Sequence, residues 1–150
     1  KEFSRIMSLK DGLKKMSKSE VSDLSRINLT DKEDEIINKI KKAKTDPLPL
    51  PSSVAELEDR AEAKNLIGIY ASLSGSTLER TIDNFSGKNF SEFKEKLSEV
   101  VLDKIIPISV EIQKLLNDKD YLDKILFEGC EKANDIASKK IKKIHEIVGF

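Results

Sequence analysis

From Phe90 onward the sequence leaves few folds open. Phe90, Phe93, Leu97, Val101, Ile105, Ile108, Ile112 and Leu115 recur every three or four residues, which lays them along one stripe of an α-helix. Pro107 falls inside this stretch. It removes one backbone hydrogen bond and its ring presses on the preceding turn, so a kink or split is expected near Asp103–Ile106. After a turn at Asn117–Asp118 the pattern resumes. Leu122, Leu126, Cys130, Ala133, Ala137, Ile141, Ile144 and Val148 mark the apolar face of a helix from about Lys119 to Val148. Two long helices joined by a short turn predict an antiparallel hairpin. The fold class that follows is mainly α: a helical bundle with a long antiparallel helix hairpin.

Upstream the helices are shorter and punctuated. Thr30-Asp31-Lys32-Glu33 has the pattern of a capping box, in which Thr30 accepts from a backbone N–H three residues on and Glu33 reaches back. Ile36, Ile40 and Ala43 then repeat at helical spacing. The helix must stop before Thr45-Asp46-Pro47. Three prolines in Pro47-Leu48-Pro49-Leu50-Pro51 exclude helix and favour an extended path. This segment is either a domain boundary or a plain surface loop. Ser53–Glu56 marks the cap of a short helix through Glu58, and a helix from about Glu62 to Leu73 presents Leu66, Ile69, Tyr70 and Leu73. Gly75 closes it. Ser76-Thr77-Leu78-Glu79 opens a helix to about Phe85, Gly87 ends it, and Asn89-Phe90-Ser91-Glu92 repeats the capping logic.

The N-terminal residues differ. Ser4–Leu9 alternates loosely and reads as a short strand feeding a loop, Lys10–Ser19, with a turn at Gly12. A strand followed by a loop is where phosphate chemistry sits in an open parallel sheet. Arg26–Leu29 reads as a second short extended piece. Composition narrows the rest. Lys+Arg and Asp+Glu both number 27, so there is no global basic field, and any contact with nucleic acid must come from a local patch. A single cysteine, Cys130, and a single histidine, His145, provide neither a disulfide framework nor a metal cluster, and a reducing cytoplasm is the expected compartment. Cys130 is expected in the core and His145 at the surface. No apolar run approaches the ~20 residues that span a membrane.

Lys15-Met16-Ser17-Lys18-Ser19 carries the chemistry. Lysine-rich runs are usually solvated faces. Here two compact ammonium charges flank a hydroxyl, and ammonium groups bind phosphate oxygens well. Serines add donors, and a loop leading into a helix N-terminus adds backbone N–H groups and a favourable dipole. The stretch reads as a polyphosphate clamp. Lys139, Lys140, Lys142 and Lys143 are candidates for holding RNA backbone. A solvated helix face is the competing reading, because Glu131, Asp135 and Glu146 are interspersed.

The five residues Lys15–Ser19 also spell, without a mismatch, the second signature of the class I aminoacyl-tRNA synthetases. Arg5-Ile6-Met7-Ser8-Leu9 precedes them at that family's spacing. Lys44-Thr45-Asp46, Asn65-Leu66, Ile69-Tyr70, Leu73-Ser74-Gly75, Gly87-Lys88, Phe93-Lys94, Val100-Val101 and Glu131-Lys132-Ala133 follow in order. Across nearly the whole chain this series resembles the C-terminal half of the bacterial-type tryptophanyl-tRNA synthetases, and the tyrosyl family does not share it. Glu20 stands where the family commonly has Asp, and either acid suits a helix start. The family's HIGH-like first signature, its tryptophan pocket and most of its nucleotide-binding fold would lie upstream of Lys1.

The resemblance implies a tryptophan–tRNA ligase that forms tryptophanyl-adenylate from ATP and passes the acyl group to tRNA(Trp). Residues 1–29 would be the end of a Rossmann-type catalytic domain, with a leftover strand and the signature loop. Residues 30–150 would be the helical anticodon-binding region. Lys15 and Lys18 would be catalytic, stabilising charge on the leaving pyrophosphate. Ile6, Lys15, Met16, Ser17, Lys18 and Ser19 would bind ATP. Mg²⁺ would travel with ATP, held by water and phosphate with no protein metal site. The full-length enzyme would be a homodimer, and this piece alone would be inactive. The alternatives are a tyrosyl-type class I synthetase and a non-enzymatic helical RNA-binding module.

Overall fold

The computed structural model describes residues 5–149. Among the described residues five helices form: α1 (Glu33–Lys41), α2 (Ala61–Ser74), α3 (Leu78–Phe85), α4 (Phe90–Asn117) and α5 (Lys119–Val148), with 3₁₀ turns at Asp23–Ser25 and Ala55–Leu57. The chain divides into two compact units, Lys1–Ser109 and Val110–Phe150.

In the first unit the core is apolar and continuous. Ile36 and Ile40 of α1, Leu66, Ile67 and Ile69 of α2, Ile82 of α3, and Phe93, Leu97 and Val101 of α4 are buried together. Three rings meet at its centre. Phe85 lies edge-on to Phe93 with centroids 4.9 Å apart, and Tyr70 is 5.1 Å from Phe85 and 5.7 Å from Phe93. Phe85 and Phe93 therefore pack, as edge-to-face rings prefer, and Phe90 is buried in the same core. Capping follows the sequence at Asn89 and Gly75, and at α3 it falls on Thr77, one residue later than Ser76 of the expected box. The Thr77 hydroxyl accepts from the Arg80 amide, Asn89 Oδ1 accepts from the Glu92 amide at 2.9 Å, and Gly75 closes α2 in the left-handed region at φ 69°. Lys94 reaches from α4 to donate to the carbonyls of Lys41 (3.2 Å) and Ala43 (2.6 Å). It thereby satisfies acceptors on the last residue of α1 and just beyond it, and burial pulls its pKa down.

The proline segment is packed inside this unit. Leu50 and Pro51 are buried, the Leu50 amide donates to the Lys88 carbonyl at 2.9 Å, and the Gly87 amide returns a bond to the Leu50 carbonyl at 3.1 Å. Arg60 grips the Asp46 carboxylate with two hydrogen bonds, of 3.0 and 2.7 Å.

Several expectations are corrected. The expected strand begins at Ser4, which lies outside the described residues, and among the described residues there is no strand. Met7 and Lys15 make a single antiparallel bridge, because the chain turns back after Gly12 and leaves only a few residues to pair. The α1 cap sits two residues later than Thr30: Lys32 is the N-cap, and its amide donates to Glu35 at 2.8 Å. Asp31 is diverted to Asn28 and Lys39. Of the kink or split expected near Asp103–Ile106, the split is absent: α4 is one helix from Phe90 to Asn117 with Pro107 inside it. The stripe on α5 is not a packed face: no residue of α5 is buried, Leu126 is 69% exposed and Cys130 is exposed. Periodicity shows which side of a helix is apolar but not what covers it.

Phe93 is fully buried and touches both other rings. Phe93→Ala is expected to lower unfolding free energy by about 3–5 kcal/mol, measured as a shift in urea midpoint.

Candidate functional site

The signature loop is held as one arm of a narrow hairpin. The Ser8 amide donates to the Lys14 carbonyl at 2.8 Å, and the Met16 amide donates to the Ile6 carbonyl at 2.9 Å. Between the arms the Leu13 amide donates to the Asp11 carboxylate. Gly12 is required at the turn by space. A Cβ there would stand 2.5 Å from the Ala61 carbonyl carbon and 2.6 Å from the Glu62 amide nitrogen, so the turn rests directly on the first residues of α2.

The outer edge of residues 7–9 is also satisfied. Asn65 on α2 accepts from the Met7 amide and donates to the Met7 carbonyl, both at 2.9 Å. One side-chain amide thus stands where a neighbouring strand would. The Leu9 amide donates to the Ser25 carbonyl at 2.9 Å, and the Lys44 amide donates to the Leu9 carbonyl at 2.7 Å.

A concavity of about 600 Å³ opens beside this hairpin. Ile6, Met16, Ser17 and Lys18 form one wall, and Arg26, Ile27, Asn28, Leu29 and Thr30 form the other. Four of the six expected nucleotide-binding residues are therefore brought together. Lys15 and Ser19 are exposed and outside the lining. Ser17 and Ser19 bond to each other at 2.9 Å through their hydroxyls. No helix follows the loop: residues 20–22 are irregular and only the 3₁₀ turn Asp23–Ser25 comes next. The expected helix dipole is thus not at the loop, and its positive charge comes from the lysines. The far wall, Arg26–Leu29, had no sequence signal beyond its reading as an extended piece.

A polar network underlies that wall. The Lys39 ammonium lies 2.6 Å from Asp31 Oδ2 and 2.6 Å from Asp23 Oδ2, with the Lys39 and Asp31 side chains only 4% and 7% exposed. Asn28 donates through Nδ2 to both Asp23 and Asp31, at 3.0 Å each. Arg26 pairs with Asp23 at 2.9 Å, donates from Nε to Asn28 at 3.1 Å, and donates from Nη1 to the Glu20 carbonyl at 2.9 Å. The hydrogen bond from Lys39, then that from Asn28, holds the Asp23 carboxyl below its usual 3.8. Burial pulls Lys39 down, but bonds to Asp23 and Asp31 outweigh it and raise its ammonium above the usual 10.5.

On α5, Lys139, Lys140, Lys142 and Lys143 are all exposed. Lys139 is paired with Asp135 at 2.7 Å. Among the described residues no helix is long and apolar enough to cross a membrane.

Residues 3–104 match the family model described as tRNA synthetases class I (W and Y). A tryptophan–tRNA ligase of Agrobacterium fabrum is 51% identical over 146 residues, covering 97% of this chain and 41% of the relative. One from Rickettsia felis is 51% identical over 147 residues, covering 98% and 44%. The chain thus spans about two fifths of the length of these relatives. A crystal structure of tryptophanyl-tRNA synthetase from Campylobacter jejuni, complexed with ADP and tryptophane, superposes with a TM-score of 0.75 at 24% identity, over 98% of this chain and 44% of that one. One from Mycoplasma pneumoniae gives 0.74 at 22%, over 97% and 44%. These likenesses confirm the mainly helical fold.

The Asp23–Lys39 link has a defined pH window. Asp23 titrates lower folded than unfolded, so its contribution is present above 3.8 and lost as pH falls through its folded value. Lys39 titrates higher folded, so its contribution is present below 10.5 and lost as pH rises through its folded value. Lys39→Met, which strands the buried Asp31, is expected to cost about 3 kcal/mol at neutral pH. Thermal unfolding of both proteins between pH 7 and 3 should show this difference shrinking toward acid.

Proposed function

We infer the reaction from the premise that the chain belongs to the class I tRNA synthetases (W and Y): it supplies the phosphate-handling loop of an enzyme that activates tryptophan with ATP and transfers it to tRNA(Trp). Tryptophan rather than tyrosine is favoured because the curated relatives at about half identity are tryptophan ligases. The grouping of Lys18, Ser17, Met16 and Ile6 on one wall of the concavity carries the proposal.

The chemistry follows from charge. A carboxylate oxygen of tryptophan bonds to the α-phosphorus of ATP as the bond to the bridging oxygen breaks, and the electron pair leaves with pyrophosphate. Negative charge grows on that leaving group. Lys18 and Lys15, ammonium groups on an exposed loop, stabilise it electrostatically and move no proton. Ser17 and Ser19 can exchange their mutual hydrogen bond for bonds to phosphate oxygens. Ile6 and Met16 offer apolar surface to the nucleotide base. Mg²⁺ arrives with ATP and neutralises phosphate charge, held by the phosphates and water.

Residues 1–29 belong, on this reading, to the catalytic domain and residues 30–150 to the tRNA-binding region. Lys140, Lys142 and Lys143, with Lys139 once it leaves Asp135, contact tRNA backbone. The whole enzyme works in the cytoplasm as a homodimer.

In the full-length enzyme, Lys18→Ala is expected to lower the rate of ATP–pyrophosphate exchange by roughly 10²–10³-fold, with a smaller change in KM for ATP. A parent-like exchange rate overturns the clamp. The 150-residue chain alone is expected to show no exchange. If it instead binds tRNA steeply and salt-dependently while Lys18→Ala leaves the full-length enzyme untouched, the RNA-binding module becomes the better reading.

A further inference from the structure

Just downstream of Lys15–Ser19 the Glu20 carbonyl accepts from Arg26 Nη1 at 2.9 Å, which ties the exit of the loop to the protein. Arg26 is not a free cation awaiting phosphate. Its Nε donates to Asn28, its Nη2 pairs with Asp23, and its side chain is only 17% exposed. All three guanidinium nitrogens are thus engaged by the protein, and the Asp23 carboxylate offsets the positive charge. Asp23 and Asn28 are in turn fixed by the buried Lys39–Asp31 pair on and beside α1. A planar fork with three fixed partners defines both distance and direction, so the position of the Glu20 carbonyl is set from the core.

We propose that Arg26 is a positioning residue for the adenylation step: through the Glu20 carbonyl it transmits the rigid Lys39–Asp31–Asp23 pin to the loop and fixes where Lys18 stands. This rests on the reading of Lys15–Ser19 as the phosphate loop. Arg26 is argued to act through Lys18, because each of its three nitrogens already holds a protein partner. Electrostatic stabilisation depends on the charge already standing where the leaving group develops, and small misplacements of such groups lower rates disproportionately.

The test is a double-variant cycle in the full-length enzyme, following ATP–pyrophosphate exchange. Arg26→Met is expected to lower kcat by about tenfold or more while KM for ATP moves by less than about threefold. Arg26→Lys keeps a charge for Asp23 but cannot reproduce the fork, and is expected to lose a comparable factor; it also serves if Arg26→Met fails to fold. The decisive readout is coupling. With Lys18→Ala already present, adding either Arg26 change should lower exchange by no more than about twofold, because there is no ammonium left to place. A purely structural Arg26 would instead multiply the two losses, and that result overturns the proposal, as does parent-like exchange in Arg26→Lys. If Lys18→Ala itself exchanges normally, the phosphate-loop reading fails and the proposal falls with it. If Lys18→Ala is impaired and Arg26→Lys is not, the positioning role alone fails.

Discussion

A buried ammonium decides how the N-terminal third of this chain is arranged. Lys39 is 3% exposed, and a charge taken that far from water is tolerated only with close counter-charges and saturated hydrogen bonds. Asp31 and Asp23 meet that demand, each at 2.6 Å. Two carboxylates around one ammonium leave a negative excess, and Arg26 against Asp23 restores the balance. The demand therefore passes outward, from a helix core to the segment that follows the signature loop. Residues 20–31 contain only one 3₁₀ turn, and Lys39 adds side-chain restraint to the few backbone bonds that hold their path. Ion pairs of this kind are weak arguments for stability and stronger ones for uniqueness of structure, and uniqueness is what a loop that places charges requires.

The loop itself is held from three directions by different physics. Its base is joined by backbone hydrogen bonds between residues 6–8 and 14–16. Its turn is located by steric exclusion, where Gly12 meets the backbone of Ala61 and Glu62. Its exit is tied by Arg26 at Glu20. The five signature residues make few of these bonds themselves, which leaves Lys18 exposed and available. The surroundings provide the rigidity, while the signature presents exposed charge and hydroxyls.

The helices and their ends were legible in the sequence because each is a local matter. Periodicity located α2 and α4, a capping pattern located α3 to within one residue, and Asn89 and Gly75 announced ends by residue type. The buried run in α4 from Phe90 to Val101 followed the same logic. Asn65, Arg26 and Lys39 were less legible, since each works through partners distant in sequence or through a network. The Asn65 contact to Met7 spans 58 residues, and a lone Asn in an apolar helix face gives no hint of it. Thr30 was misleading for a related reason. A capping pattern was present, but Asp31 had a stronger claim from Lys39, so the helix began later. The α5 stripe shows a different gap, because an amphipathic pattern specifies a face and leaves its partner unstated.

The amide of Asn65 has one further consequence. An extended segment with open N–H and C=O groups is a template on which another chain can add a strand. At Met7 both groups are occupied, by a side chain fixed on a buried helix face and too short to extend the ladder. The segment keeps a β-like shape without β-like adhesiveness. A chain that carries a fragment of extended backbone beside a charged loop is thereby protected at that residue from pairing with its own copies.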